Sequence, residues 1–175
     1  MRLFSAALIS FLLIACGAQN DLSGQSTLAG ETPSRNGRFP IMPEQLLTPG
    51  DTCDRPDEYR YKERIAYCER DVESSRKYAI MREYDAKFGY EVTKMQRMDF
   101  KIDHFIPLCM GGSNENTNLW PQHKTVYEVT DPLEGELCEL MKAGKLLQAD
   151  AIATIKKAKY NLSQVASIRA EISER

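Results

Sequence analysis

The sequence predicts an α+β fold in which a β-hairpin packs against a helix, with further helices around that core. Three observations predict it. Two short apolar segments of β-type content flank the turn signal Met110-Gly111-Gly112-Ser113, stretches of helical period stand before and after them, and four cysteines are spaced to staple one small domain.

In chain order, the stretch from Tyr59 to Cys68 mixes Tyr61, Ile65 and Tyr67 with charges and reads equally as a short strand or a loop-helix piece. Ser74 to Phe88 is helical. Its apolar positions Tyr78, Ile80, Met81, Tyr84 and Phe88 recur at about the α period and are expected in the core, and Gly89 supplies the stop. Phe100 to Leu108 is the first strand of the hairpin, with Ile102, Phe105 and Ile106. Asn118 to Gln122 is the returning strand, shortened by Pro121, which withholds a ladder donor. After Lys124 the chain looks helical. Asp131-Pro132-Leu133-Glu134 there combines an N-cap, a proline at the first helical position and a capping-box glutamate, for a helix that ends at Gly144. Ala149 to Tyr160 and Gln164 to Glu174 supply two more helices.

Residues 1–15 read as an export signal, because Met1-Arg2 precedes an apolar run too short to span a membrane. The following residues, to about Gly50, are rich in Ser, Gly, Thr, Gln, Asn and Pro, and are expected to form a flexible tether (16–50) ahead of one domain (51–175). Export leaves Cys53, Cys68, Cys109 and Cys138 as an even set in an oxidising compartment. Of the three pairings, Cys53 with Cys68 and Cys109 with Cys138 close the shortest loops, and the first is worth about 3 kcal/mol by loop entropy. No cysteine pair has the close spacing of a structural zinc site.

The net charge of −2 is low for a nucleic-acid binder, although Arg55, Arg70, Arg76 and other bases cluster ahead of the hairpin among interleaved acids. The chain has two histidines, His104 and His123, and both fall in or beside the hairpin. A phosphodiester is hydrolysed by an activated water with a positive charge beside the developing anion. Neutral imidazole can accept the proton near neutral pH, so His104 suits the first role, and the carboxylate of Asp103 is a hard oxygen ligand. Neighbours in a regular strand point to opposite faces, so the pair can share a site only if the strand bends.

The order Asp103-His104, Ile106-Pro107-Leu108, Gly111-Gly112-Ser113, Asn118-Leu119-Trp120-Pro121 and Asp131-Pro132-Leu133-Glu134 resembles the HNH endonuclease group of the ββα-metal nucleases, in a secreted bacterial form. The likeness covers Lys101 to about Gly144. It implies a hairpin and helix with a divalent metal between them, Mg²⁺ or else Mn²⁺. It also implies His104 as general base, Asp103 as metal ligand and Asn118 as the asparagine that fixes the hairpin loop and the base. DNA rather than RNA is the implied substrate, and the protein a monomer. The helix lacks the histidine or asparagine ligand of that group, and Asp131, Glu128 and His123 are the replacements, in that order. Leu13-Ile14-Ala15-Cys16-Gly17 resembles a lipoprotein signal, which implies lipid on Cys16 and an envelope location, the outer membrane in a Gram-negative host. The competing expectation is a non-catalytic envelope lipoprotein that keeps the scaffold for binding or structure.

Overall fold

The computed structural model describes residues 37–174, so the expected signal, Cys16 and most of the expected tether lie outside the described residues. A first hairpin pairs β1 (Glu58–Arg60) with β2 (Ile65–Tyr67) antiparallel, its turn running through Tyr61 and Arg64 at positive φ. This settles the open reading of that segment in favour of strands. Helix α1 (Ser74–Phe88) follows with the predicted bounds and a left-handed Gly89 beyond it. Ile80, Met81 and Tyr84 are buried, but Tyr78 is 55% exposed, so the expected core stripe is narrower by that residue.

The central hairpin pairs β3 (Phe100–His104) with β4 (Leu119–His123) in a continuous antiparallel register from Phe100 opposite His123 to His104 opposite Leu119. Helix α2 (Lys124–Lys142) leaves β4 without a loop, and α3 (Gln148–Tyr160) and α4 (Val165–Ser173) complete the fold. The chain is thus α+β, with four helices and two two-stranded sheets among the described residues.

Helix α2 starts seven residues before the expected N-cap. Val126, Thr130, Leu133, Leu137 and Met141 form one buried stripe that carries the helix through Pro132, and the cap is His123, whose Nδ1 accepts from the Thr125 amide. Local capping signals at Asp131 lose to the burial of that stripe, each large apolar side chain contributing about 1.5–3 kcal/mol.

Two apolar clusters meet at the end of β3. Phe105 joins α1, Trp120 and Val126 on one side, while Ile106 joins α2, α3 and α4 on the other. Residues expected in the tether also belong here. Phe39 packs against the first cluster, and the buried Thr48 bonds Tyr84 Oη at 2.7 Å and donates to the Leu119 carbonyl at 2.9 Å. The expectation of a tether reaching residue 50 is therefore corrected for residues 39–50, which pack against the domain through partners distant in sequence.

The loop between β3 and β4 is fixed from within. Asn118, fully buried, accepts from the Ile106 amide at 2.8 Å and donates to the Ile106 and Ser113 carbonyls, both at 2.9 Å. Gly112 lies so close to this frame that an added Cβ would sit 1.8 Å from the Ile106 oxygen. Gly112→Ala is expected to destabilise the domain by about 3 kcal/mol, the upper end of an ordinary overpacking cost, as read from urea unfolding. A loss under 1 kcal/mol would mean the loop moves freely. Disulfides join Cys53 to Cys68 and Cys109 to Cys138, the two pairs closing the shortest loops; the second ties the hairpin loop to α2.

Candidate active site

His104 ends β3 with its side chain almost wholly buried. Its Nδ1 lies 3.1 Å from Nη1 of Arg70 and its Nε2 lies 3.0 Å from Oδ1 of Asn114. Arginine has no acceptor, so Nδ1 must accept and Nε2 must carry the proton. Asn114 is held in turn, its amide donating to the Glu69 carbonyl and its oxygen accepting from the Asp71 amide. Arg70 is anchored by its second nitrogen, which donates to the Ile102 carbonyl at 2.7 Å. Arg70 and Asn114 also line a cleft of about 540 Å³ that includes Arg55 and Arg76. Five carboxylates and three guanidiniums border this cleft, so its charge is mixed and net acidic.

Burial is the main cause that pushes the His104 imidazole down to about 4; the Asn114 hydrogen bond opposes it and the Arg70 charge adds to it. The ring is neutral at pH 7 and able to accept a proton. Because its folded pKa lies below the usual 6.5, the unfolded chain binds the extra proton more readily. The resulting stability is complete above about pH 6.5 and is lost as the pH falls toward 4, by about 3 kcal/mol. Urea midpoints between pH 4 and 7.5 should show this slope in the wild type and a reduced slope in His104→Gln; equal slopes would contradict it.

Asp103 points elsewhere. Its Oδ2 lies 3.4 Å from Lys101 Nζ and 3.7 Å from Lys159 Nζ. The ladder runs unbroken through both residues, so the bend that would bring the Asp103 and His104 side chains together is absent, and they share no side-chain partner. Asp103 instead meets α2, where carboxylate oxygens of Asp103, Asp131 and Glu134 lie within 4.8 Å of one another. Glu134 is one helical turn beyond Asp131, a spacing that could have singled it out in the sequence.

Of the expected replacements for the helix ligand, the structure brings Asp131 to Asp103 and leaves the other two out. Glu128 is exposed near the start of α2. His123 stacks on Phe39 at 3.9 Å between centroids, meets Phe100 edge-on and caps α2. It sits at the opposite end of the hairpin from His104, about 13 Å along the strand at 3.3 Å per residue. Its role is packing and capping, which corrects its expected place as a ligand.

Three close carboxylates are the right donor type for Mg²⁺ or Mn²⁺, but each already faces an ammonium. Lys159, fully buried on α3, lies 2.5 Å from Glu134 Oε1 and donates to the His104 carbonyl at 2.7 Å. Lys101 Nζ contacts both oxygens of Asp131 at 2.7 Å. Burial alone would raise Asp103, yet Lys159 and then Lys101 hold its carboxyl below the ordinary range. Burial raises Glu134, and Lys159 only partly offsets this. An ion bound to Glu134 and Asp103 would have to share the space of the Lys159 charge, so the cluster as built does not fit a divalent ion.

Lys159 has a sequence signal of its own. It follows Ile155 by four residues on the same face as Ala151 and Ile155, although Lys156 and Lys157 beside it suggest a solvated face. Arg70 and Asn114 have no comparable local signal. A larger cleft, about 890 Å³, runs between α2 and α4 past Pro132, Leu140 and Ile172, away from His104. Among the described residues, no helix is long and apolar enough to cross a membrane. No protein-family model, curated protein or solved structure matches the chain.

Proposed function

We propose that this protein is an endonuclease that hydrolyses phosphodiester bonds, of DNA before RNA, outside the cytoplasm, held at the envelope by lipid on Cys16. The observation that carries the reading is the neutral His104, its proton placed on Nε2 by Asn114 and its Nδ1 lone pair turned toward Arg70, and these two partners, not the buried imidazole itself, line the cleft. It is joined by the order of hairpin, pinned loop and helix around it.

In this mechanism a phosphate oxygen entering the cleft takes Nη1 of Arg70 as donor and releases Nδ1 of His104. The imidazole then accepts a proton from the attacking water, whose oxygen bonds to phosphorus as the bond from phosphorus to the departing sugar oxygen breaks; that alkoxide takes its proton from solvent, and Asn114 keeps the ring in place while it is charged. Arg70, with its other nitrogen fixed to the strand, faces the charge that develops on phosphorus. The Mg²⁺ or Mn²⁺ implied by the resemblance has no place among Asp103, Asp131 and Glu134 as they stand, and no step uses it.

Arg70→Ala is expected to reduce kcat/KM on plasmid DNA by about 10²-fold, the usual loss for one donor to a transition-state anion. A change under threefold would remove Arg70 from the mechanism. The proposal as a whole is tested by digesting supercoiled plasmid and single-stranded RNA with oxidised protein, in Mg²⁺, in Mn²⁺ and in chelator, across pH 5 to 9. Cleavage of either polymer supports it. Intact substrate in every condition favours the second reading, a non-catalytic envelope module, which the ammonium-filled carboxylate cluster and the acidic cleft also support.

A further inference from the structure

The carboxylate cluster lies where strand β3 meets α2 and α3, and its charge balance is set by two lysines from outside the matched motif and from its edge. Lys159 is the unusual one. It is fully buried, and it reaches three oxygens: Glu134 Oε1 at 2.5 Å, the His104 carbonyl at 2.7 Å and Asp103 Oδ2 at 3.7 Å. Asp103 Oδ2 and Glu134 Oε1 are themselves buried, and the groups that face them are ammoniums, Lys159 on both and Lys101 also on Asp103, so ammonium charge is what compensates them. Lys101 completes the set from the outer side, on Asp131. One buried cation among oxygens of a strand carboxylate, a helix carboxylate and a backbone carbonyl is the environment that hard divalent ions occupy.

We infer that Lys159 is the resident cation of this cluster, a covalently attached ammonium that replaces a divalent ion and positions His104 through its carbonyl. The inference stands on the cluster's geometry and holds whether or not the chain cleaves nucleic acid. An ammonium offers about three directed donors and one charge, where a divalent ion offers two charges and draws oxygens to about 2.1 Å. With three carboxylates against two ammoniums, the cluster needs Lys159 to limit its negative charge, and it should take up an ion when that ammonium is removed.

The test reads metal binding rather than cleavage. Full-length oxidised protein is titrated with Mn²⁺, free ion being followed by electron paramagnetic resonance and protein by thermal melting. Wild type is expected to leave the free Mn²⁺ signal unchanged and its Tm unshifted at millimolar Mn²⁺. Lys159→Met is expected to bind one equivalent and to gain Tm with Mn²⁺ concentration, as binding to the folded state requires. Adding Glu134→Gln should abolish that gain. One equivalent bound by wild type and lost in Glu134→Gln would overturn the inference, as would a folded Lys159→Met that leaves Mn²⁺ free. If Lys159→Met does not fold, the wild-type and Glu134→Gln titrations decide alone. Cleavage assays stay separate, so a failed nuclease reading and a failed cation reading give different results.

Discussion

Lys159→Met loses about 3–5 kcal/mol of stability at pH 7.5 in metal-free urea unfolding. The size follows from what is left behind: a methionine keeps most of the volume, but Glu134 remains buried without its compensating charge and Asp103 keeps only Lys101, and breaking a buried pair from one side typically costs this much. The hydrogen bond to the His104 carbonyl goes with it. Against a total of about 5–15 kcal/mol for a domain of this kind, that is a fifth or more. Removing the stranded charge as well should recover part of the loss, so Lys159→Met with Glu134→Gln is expected to be more stable than Lys159→Met alone. A single-variant loss under 1 kcal/mol would mean that water, not Lys159, balances the cluster.

His104→Ala is expected to lower plasmid nicking by about 10²- to 10⁴-fold, the range for a positioned base. The fold should survive, because the loop is pinned by Asn118 and braced by the Cys109–Cys138 bridge rather than by the imidazole. Far-ultraviolet circular dichroism and the urea midpoint at neutral pH are the controls that separate lost chemistry from lost structure. A folded variant that nicks at the wild-type rate would remove His104 from the reaction.

The parts of this molecule readable in the sequence are those fixed by local physics. The period of α1 and its glycine stop gave the helix its bounds, and the apolar runs on either side of Gly111-Gly112 gave the hairpin. Asn118 is found pinning the loop, as the motif implied, although its side chain bonds the loop backbone and not the His104 ring. What was hidden depends on distant partners. Residues 39–50 have the polar composition of a tether, yet Thr48 meets Tyr84 and Leu119, 36 and 71 positions away. Asp131 and Pro132 carry the local marks of a helix start, but the apolar stripe from Val126 onward overrides them. His123 is a rare titratable residue beside a motif, and in the fold it is a cap between two aromatic rings. Lys159 is the sharpest case, since its neighbours Lys156 and Lys157 mark a wet surface while its place on the Ile155 face sends it into the interior.

Phosphodiester hydrolysis with His104 as the base is decided by a time course of supercoiled plasmid with oxidised wild type and folded His104→Ala side by side. Wild type is expected to convert the plasmid steadily to relaxed and then linear DNA, and His104→Ala to do so at least about a hundredfold more slowly. Equal rates for the two proteins, or supercoiled DNA left intact by the wild type from pH 5 to 9, would contradict it.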